Sequence, residues 1–215
     1  MAGAMVARAE TAQGFSPEQT KEIQTIVEKF LMEKPEVIMN AVEALRAKQM
    51  AEMEKNSKKA IEENIASLTA ASAPSTGNPK GDVTVVEFMD YNCGYCKRAL
   101  PDIQNVLKSD SNVRFVFKDI PVLGESSRLA AQWALAAHKQ GKYFEFHTAV
   151  MGHQGSKDEN SLAGIAQKVG LNVDQLRKDA ASDEIKKIVD EDLTISSKIG
   201  VQGTPAFIVG KDFYP

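Results

Sequence analysis

Asp90-Tyr91-Asn92-Cys93-Gly94-Tyr95-Cys96-Lys97-Arg98 contains both cysteines of the 215-residue chain. The apolar, β-branched run Val83-Thr84-Val85-Val86-Glu87-Phe88-Met89 precedes it, and a segment of helical periodicity ending near Lys108 follows. A Cys-x-x-Cys pair at a strand-to-helix junction is the sequence form of a thiol–disulfide redox site. With Asn92 as the helix cap, Cys93 falls in the first turn, where unpaired backbone N–H groups and the helix dipole favour an anion. A thiolate there has a depressed pKa, and the thiolate is the nucleophile. Lys97 and Arg98 add positive charge nearby, and Cys96, one turn on, is placed to resolve a mixed disulfide. Two other uses of the pair are weaker. A structural disulfide closing so short a loop removes little chain entropy from the unfolded state. A zinc site needs four Cys or His ligands, and His138, His147 and His153 form no second ligand pair, so no metal is expected.

Working outward, the chain has room for one sizeable domain and a smaller element. Its 43% hydrophobic and 26% charged content is ordinary for a globular protein, and a net charge of −3 gives no reason to expect nucleic acid. No apolar run approaches a membrane span. Residues 1–14 do not have the basic start and apolar core of a signal peptide; they read as a disordered N-terminus or a cloning remnant.

Ser16-Pro17-Glu18 is a helix start, with Ser16 as cap and Pro17 in the first turn. Ile23, Ile26, Val27, Phe30 and Leu31 recur at helical spacing, and a second stripe runs through Val37, Ile38, Ala41, Val42 and Leu45. Residues 54–59 are wholly polar and predict solvated helix and a pliable joint; Ile61, Ile65 and Leu68 resume the period. Residues 15–70 thus predict a helical segment whose apolar stripe needs a partner, either the rest of the chain or other copies of itself. Residues 71–80, rich in Ala, Ser, Pro and Gly, predict a linker.

The second unit spans 81–215. Strand 83–89, a helix from Cys93 containing Pro101, and the alternating run Asn112–Lys118 predict a βαβ unit with parallel strands. A helical block follows, about 125–183, before the sheet resumes at Gly203-Thr204-Pro205-Ala206-Phe207-Ile208-Val209. Proline at the mouth of an apolar strand is either an edge-strand trans-proline or a cis-proline; beside a Cys-x-x-Cys site the cis Thr204–Pro205 reading is preferred, leaving the Thr204 backbone to pair with a peptide next to Cys93.

With Cys93-Gly94-Tyr95-Cys96, a helical insert and Gly203-Thr204-Pro205 in that order, the chain resembles the DsbA-like branch of the thioredoxin superfamily over roughly residues 79–215. Val86 to Cys93, and Pro121-Val122-Leu123-Gly124 leading to Ala130–Ala137, look most like the ScsC-type periplasmic disulfide isomerases, named for suppression of copper sensitivity. The resemblance implies an α/β, thioredoxin-like fold with an inserted helical domain, behind an N-terminal oligomerisation segment, trimeric in several relatives. It implies catalytic Cys93 and Cys96, a substrate-binding cis-proline loop at Thr204 and Pro205, and a buried acid at Glu87 as a possible proton relay for Cys96; an outward-facing Glu87 is the alternative. It also implies a periplasmic protein whose signal peptide is absent from this sequence, and a sheet that lacks its final strand and helix.

The dipeptide Gly94-Tyr95 lacks the imidazole of the Pro-His pair found in strongly oxidising relatives and looks like that of disulfide isomerases, so a weaker oxidant is expected. The expected activity is isomerisation or reduction of misfolded secreted proteins by the Cys93–Cys96 couple, with no other cofactor and with a membrane-bound thiol reductant of the DsbD type as partner. A dithiol oxidase is the alternative. A chaperone-like or copper-binding protein, with two soft thiol ligands, is the alternative of another class.

Overall fold

A computed structural model describes residues 14–215; the expectations for residues 1–13 lie outside the described residues. The chain divides into two compact units, 1–51 and 52–215.

In the first unit, α1 (Pro17–Glu33) starts on a full capping box: Ser16 accepts from the Gln19 backbone and the Gln19 side chain accepts from Ser16. None of its residues is buried. Its stripe of Ile23, Ile26, Val27 and Phe30 is exposed, as are Val37, Ile38, Met39, Val42 and Leu45 in the first turns of α2 (Glu36–Leu68).

The second unit is built on a five-stranded sheet. The β-branched runs form β2 (Val83–Met89) and β3 (Val113–Asp119), joined by α3 (Gly94–Ser109) and paired parallel, Val83 against Val113 to Met89 against Asp119. Pro101 lies within α3, which continues past it. Five helices then cover the sheet: α4 (Glu125–Lys139), α5 (Tyr143–Gly152), α6 (Glu159–Lys168), α7 (Val173–Ala180) and α8 (Asp183–Ile199). Asp158, Asn172 and Ser182 cap the last three by accepting from backbone N–H groups. Gly200, at φ 88°, closes α8 in the left-handed conformation that glycine adopts freely. Finally β4 (Ala206–Val209) pairs antiparallel with β2.

Alternation along β2 and β3 sends Val85, Met89, Phe115 and Phe117 into a core with α3 and the helical block, and Val86, Phe88 and Val116 into a second core on the opposite face. This is the thioredoxin-like α/β architecture expected from the sequence.

Three expectations need correction. Residues 71–80 are not a free linker: β1 (Ser75–Gly77) pairs antiparallel with the edge of β3, and Ala73 is buried. The helical segment does not end as one body at residue 70. Ile61 and Leu68, fully buried, fill the second core with Ile199 and Ile208, and Ser57 Oγ donates to the Ile199 carbonyl. Residues 54–59 are therefore unbroken helix with one buried serine, the polarity of Ser57 being used on a helix-end carbonyl. Third, the sheet does not lack its hairpin partner: β5 (Asp212–Tyr214) pairs with β4 around Gly210, at φ 62°.

Candidate active site

The site lies where β2 ends and α3 begins. The cap of α3 is Cys93 itself rather than Asn92: its Sγ accepts from the Cys96 backbone N–H at 3.5 Å. Asn92 has another task, donating from Nδ2 to Ser126 Oγ at 2.8 Å and Ser127 Oγ at 2.9 Å, which ties the loop to the start of α4. The reason for the shift is Asp90. Its buried carboxylate accepts from Asn92 N and Ser127 Oγ on one oxygen and from Val122 N and Leu123 N on the other. This four-donor anchor folds the loop so that the thiol takes the capping position. Asp90 was not among the sequence candidates, although an aspartate just ahead of a helix start, able to accept from the N–H two residues on, is an Asx-turn signal.

Both cysteines are reduced and buried, Cys93 6% and Cys96 1% exposed. Their environments push their thiols apart. Burial works to raise the Cys93 pKa, but the Thr204 side chain, Cys96 and the Tyr95 backbone, all hydrogen-bonding to the sulfur, outweigh it, and the thiol is lowered below the usual range. Cys96 is pushed far up, burial being the dominant cause. The pair is a nucleophile of lowered pKa with a more deeply buried, protonated thiol behind it. Lys97 and Arg98 are not among the groups that lower Cys93: Arg98 stacks over the Tyr95 ring at 4.2 Å, beside the active-site dipeptide, and Lys97 lies close to Lys157.

Thr204 and Pro205 are joined by a cis peptide. The Cys93 thiol donates to the Thr204 carbonyl at 3.1 Å, so the loop entering β4 faces the nucleophile directly.

Glu87 is 1% exposed and points to the α3 side of the sheet, which excludes the outward-facing alternative. One of its oxygens, Oε2, is buried without a partner. Burial, with Asp119 and Cys93 as further contributors, raises its pKa to about 8. Asp119, two residues beyond the cross-strand neighbour of Glu87, is equally buried, is raised to about 8 by burial, and has an unpartnered Oδ2. Tyr143 OH donates to Asp119 Oδ1 at 2.8 Å, and Tyr91 OH lies 3.2 Å from His147 Nδ1. His147 is held neutral by burial, its pKa lowered to about 3. Asp119, Tyr143 and His147 are a polar layer under the cysteines that single-sequence reading missed, because nothing local marks a residue as facing a distant site. Tyr91 is fully buried in that layer, whereas Tyr95 is 68% exposed. No group of three His, Cys, Asp or Glu side chains suited to a metal ion occurs among the described residues.

Residues 84–215 match the family model described as a DSBA-like thioredoxin domain, and residues 19–52 match the ScsC N-terminal domain of copper resistance proteins. A thioredoxin-like oxidoreductase from Silicibacter pomeroyi is 45% identical in sequence, with a TM-score of 0.67 over 70% of this chain and 87% of that one. Proteus mirabilis ScsC in a compact conformation is 27% identical, TM-score 0.67, over 90% of this chain and 97% of its own. Among curated proteins, a Na(+)/H(+) antiporter NhaA 1 of Salinispora arenicola is 31% identical over 155 residues, 69% of this chain. The chain spans about a quarter of that protein's length, 24%.

Proposed function

Because this chain belongs to the DsbA-like thioredoxin domain family and carries an ScsC-type domain ahead of it, we propose that it is a periplasmic protein thiol–disulfide oxidoreductase acting mainly as a disulfide isomerase and reductase on misfolded secreted proteins. The observation that carries this reading is the division of labour between the thiols: Cys93 lowered at a helix N-terminus against the Thr204 carbonyl, Cys96 raised behind it.

The Cys93 thiolate attacks one sulfur of a substrate disulfide; a Cys93–substrate disulfide forms and the other substrate sulfur leaves as a thiolate. On ionising, Cys93 no longer donates to Thr204, and that carbonyl becomes available to the backbone of the bound peptide. Two exits follow. A substrate thiolate attacks the mixed disulfide, which returns Cys93 as a thiolate and leaves the substrate with a new pairing and no net redox change. Alternatively Cys96 loses its proton and attacks Cys93 Sγ, releasing a substrate dithiol and leaving the Cys93–Cys96 disulfide; two electrons have passed to the substrate. Glu87 is the proton acceptor we assign to that step, as a buried base near neutrality. The couple needs no further cofactor, but a reducing partner must restore it; a membrane-bound thiol reductant of the DsbD type is proposed.

Exposed Tyr95, Val122 and Leu123 surround the entrance and suit an unfolded, apolar polypeptide. The exposed stripe of α1 and the first part of α2 suits self-association, and we propose a homotrimer, which would bring several reduced sites to one substrate.

A dithiol oxidase is the second reading, favoured by the lowered Cys93 thiol: stabilising the reduced form makes the disulfide more oxidising. Scrambled ribonuclease separates the two. The reduced protein is expected to restore ribonuclease activity, while the oxidised protein oxidises reduced ribonuclease only slowly. Fast oxidation with no recovery from the scrambled form would replace isomerase with oxidase.

A further inference from the structure

Lys157 is 2% exposed and among the largest fully buried side chains of the protein. A lysine this buried is normally paired with an acid or a carbonyl. Among the described residues its Nζ makes no hydrogen bond and no ion pair, whereas the Nζ groups of Lys118, Lys139 and Lys142 have acceptors. A second cation, Lys97, half-buried on the first turns of α3, is close enough to act on its charge. Burial and this like charge lower its pKa to about 8.

Two acids nearby are already committed. Asp90 attracts Lys157, but its two oxygens hold four donors. Asp158 accepts from Ser161 N on one oxygen and Ser156 Oγ on the other. Arg128 pairs with Asp190, and Glu125 is exposed on α4. Lys157 lines a groove of about 730 Å³ that runs from Asn92, the residue before the nucleophile, along Ser126 and Arg128 to Ser156. The Lys157 ammonium, left without an acceptor by the fold, stands at the wall of a groove that begins beside Cys93, with the Lys97 charge close to it, and forms a receptor for a negative charge.

We propose that Lys157 and Lys97 form a subsite for a carboxylate of the polypeptide substrate, an Asp or Glu side chain close to the cysteine under attack. The proposal rests on the thiol–disulfide reading for its substrate class and extends it to sequence preference. Binding of a carboxylate satisfies both ammonium groups and holds the substrate in the groove while its disulfide faces Cys93. Both lysines thereby become specificity residues that take no part in bond making.

Two measurements test it. In the first, the reduced protein exchanges with a pair of peptides in which a cysteine, disulfide-linked to a small aromatic thiol, is flanked by Asp in one and Asn in the other. The wild type is expected to react about tenfold faster with the Asp peptide, as one charge-assisted hydrogen bond allows. Lys157→Met should bring the two rates together, and Lys157→Arg should keep them apart. Equal rates for the wild type, or a preference that survives Lys157→Met, would overturn the subsite. In the second, cysteine-free Asp and Asn peptides are titrated into ¹⁵N-labelled wild-type protein. Saturable shifts at Ser156, Lys157 and Lys97 with the Asp peptide alone are expected; identical responses to both peptides sink the proposal. This arm needs no redox chemistry, so a protein that binds the Asp peptide but exchanges with neither disulfide refutes the oxidoreductase reading and leaves the anion subsite standing.

Discussion

At the scale of single residues, the site works by giving two identical side chains opposite environments. Cys93 is a helix cap; Cys96, three residues on, is enclosed. Iodoacetamide labelling followed by peptide mapping should modify Cys93 alone in the folded protein, with a pH midpoint below that of an ordinary thiol, while Cys96 reacts only after unfolding. The buried acids give a second test. Glu87 holds its proton to about 8 in the folded state and releases it near 4.5 when unfolded. The folded state therefore binds the extra proton between those values, so stability is full below about 4.5, falls as pH rises, and is lost above about 8. Asp119 contributes in the same sense. Glu87→Gln should flatten that fall, gaining most over the wild type above pH 8 in urea titrations, and it should slow the resolution of a mixed disulfide by Cys96. The cysteine spacing and the Thr204-Pro205 signal were legible in the sequence because each is a local pattern, whereas the buried position of Glu87 came only from the family resemblance, since a charged strand residue can face either way. Lys157 and Asp119 were not legible, since their significance is what they face across the fold, and Asn92 was given the capping role that its neighbour takes because Asp90 turns the loop first.

At the scale of elements, α2 belongs to two bodies. Its first turns carry the exposed stripe, and its last three turns put one face, Ala60, Ile61 and Leu68, into the core. Helical periodicity predicted the whole helix, but the polar run 54–59 read as a joint because sequence alone does not tell a solvated face from a single buried serine bonded to Ile199. β1 was hidden for a related reason. A three-residue edge strand of Ser, Thr and Gly has no apolar alternation, and its pairing with β3 is a tertiary contact. A Cβ at Gly77 would collide with the Val113 carbonyl, which is why this edge carries a glycine. A chain beginning at residue 52 should keep the stability of the redox unit, whereas one beginning at residue 71 loses Ile61 and Leu68 and should unfold at much lower urea. Ile61→Ala alone should cost about 2–5 kcal/mol, the usual range for emptying a filled core position. Equal midpoints for the two truncated chains would show that the end of α2 does not support the sheet.

For the molecule as a whole, the two units have complementary deficits. The first has an apolar stripe and, among the described residues, no core of its own; the second has a complete core and a nucleophile that one substrate disulfide engages at a time. Light scattering should give a trimer for the full chain and a monomer for the chain beginning at residue 52. A monomeric full chain would remove one of the two reasons to prefer isomerase over oxidase, leaving only the Gly94-Tyr95 dipeptide. Every scale depends on Cys93 opening the substrate disulfide, and Cys96→Ser isolates that step by removing the resolving thiol. After mixing with a disulfide-linked protein substrate and acid quench, mass spectrometry should find one substrate polypeptide linked to each chain through Cys93, and none with Cys93→Ser. No adduct on Cys96→Ser, or an adduct formed through Cys96 in Cys93→Ser, would contradict the mechanism.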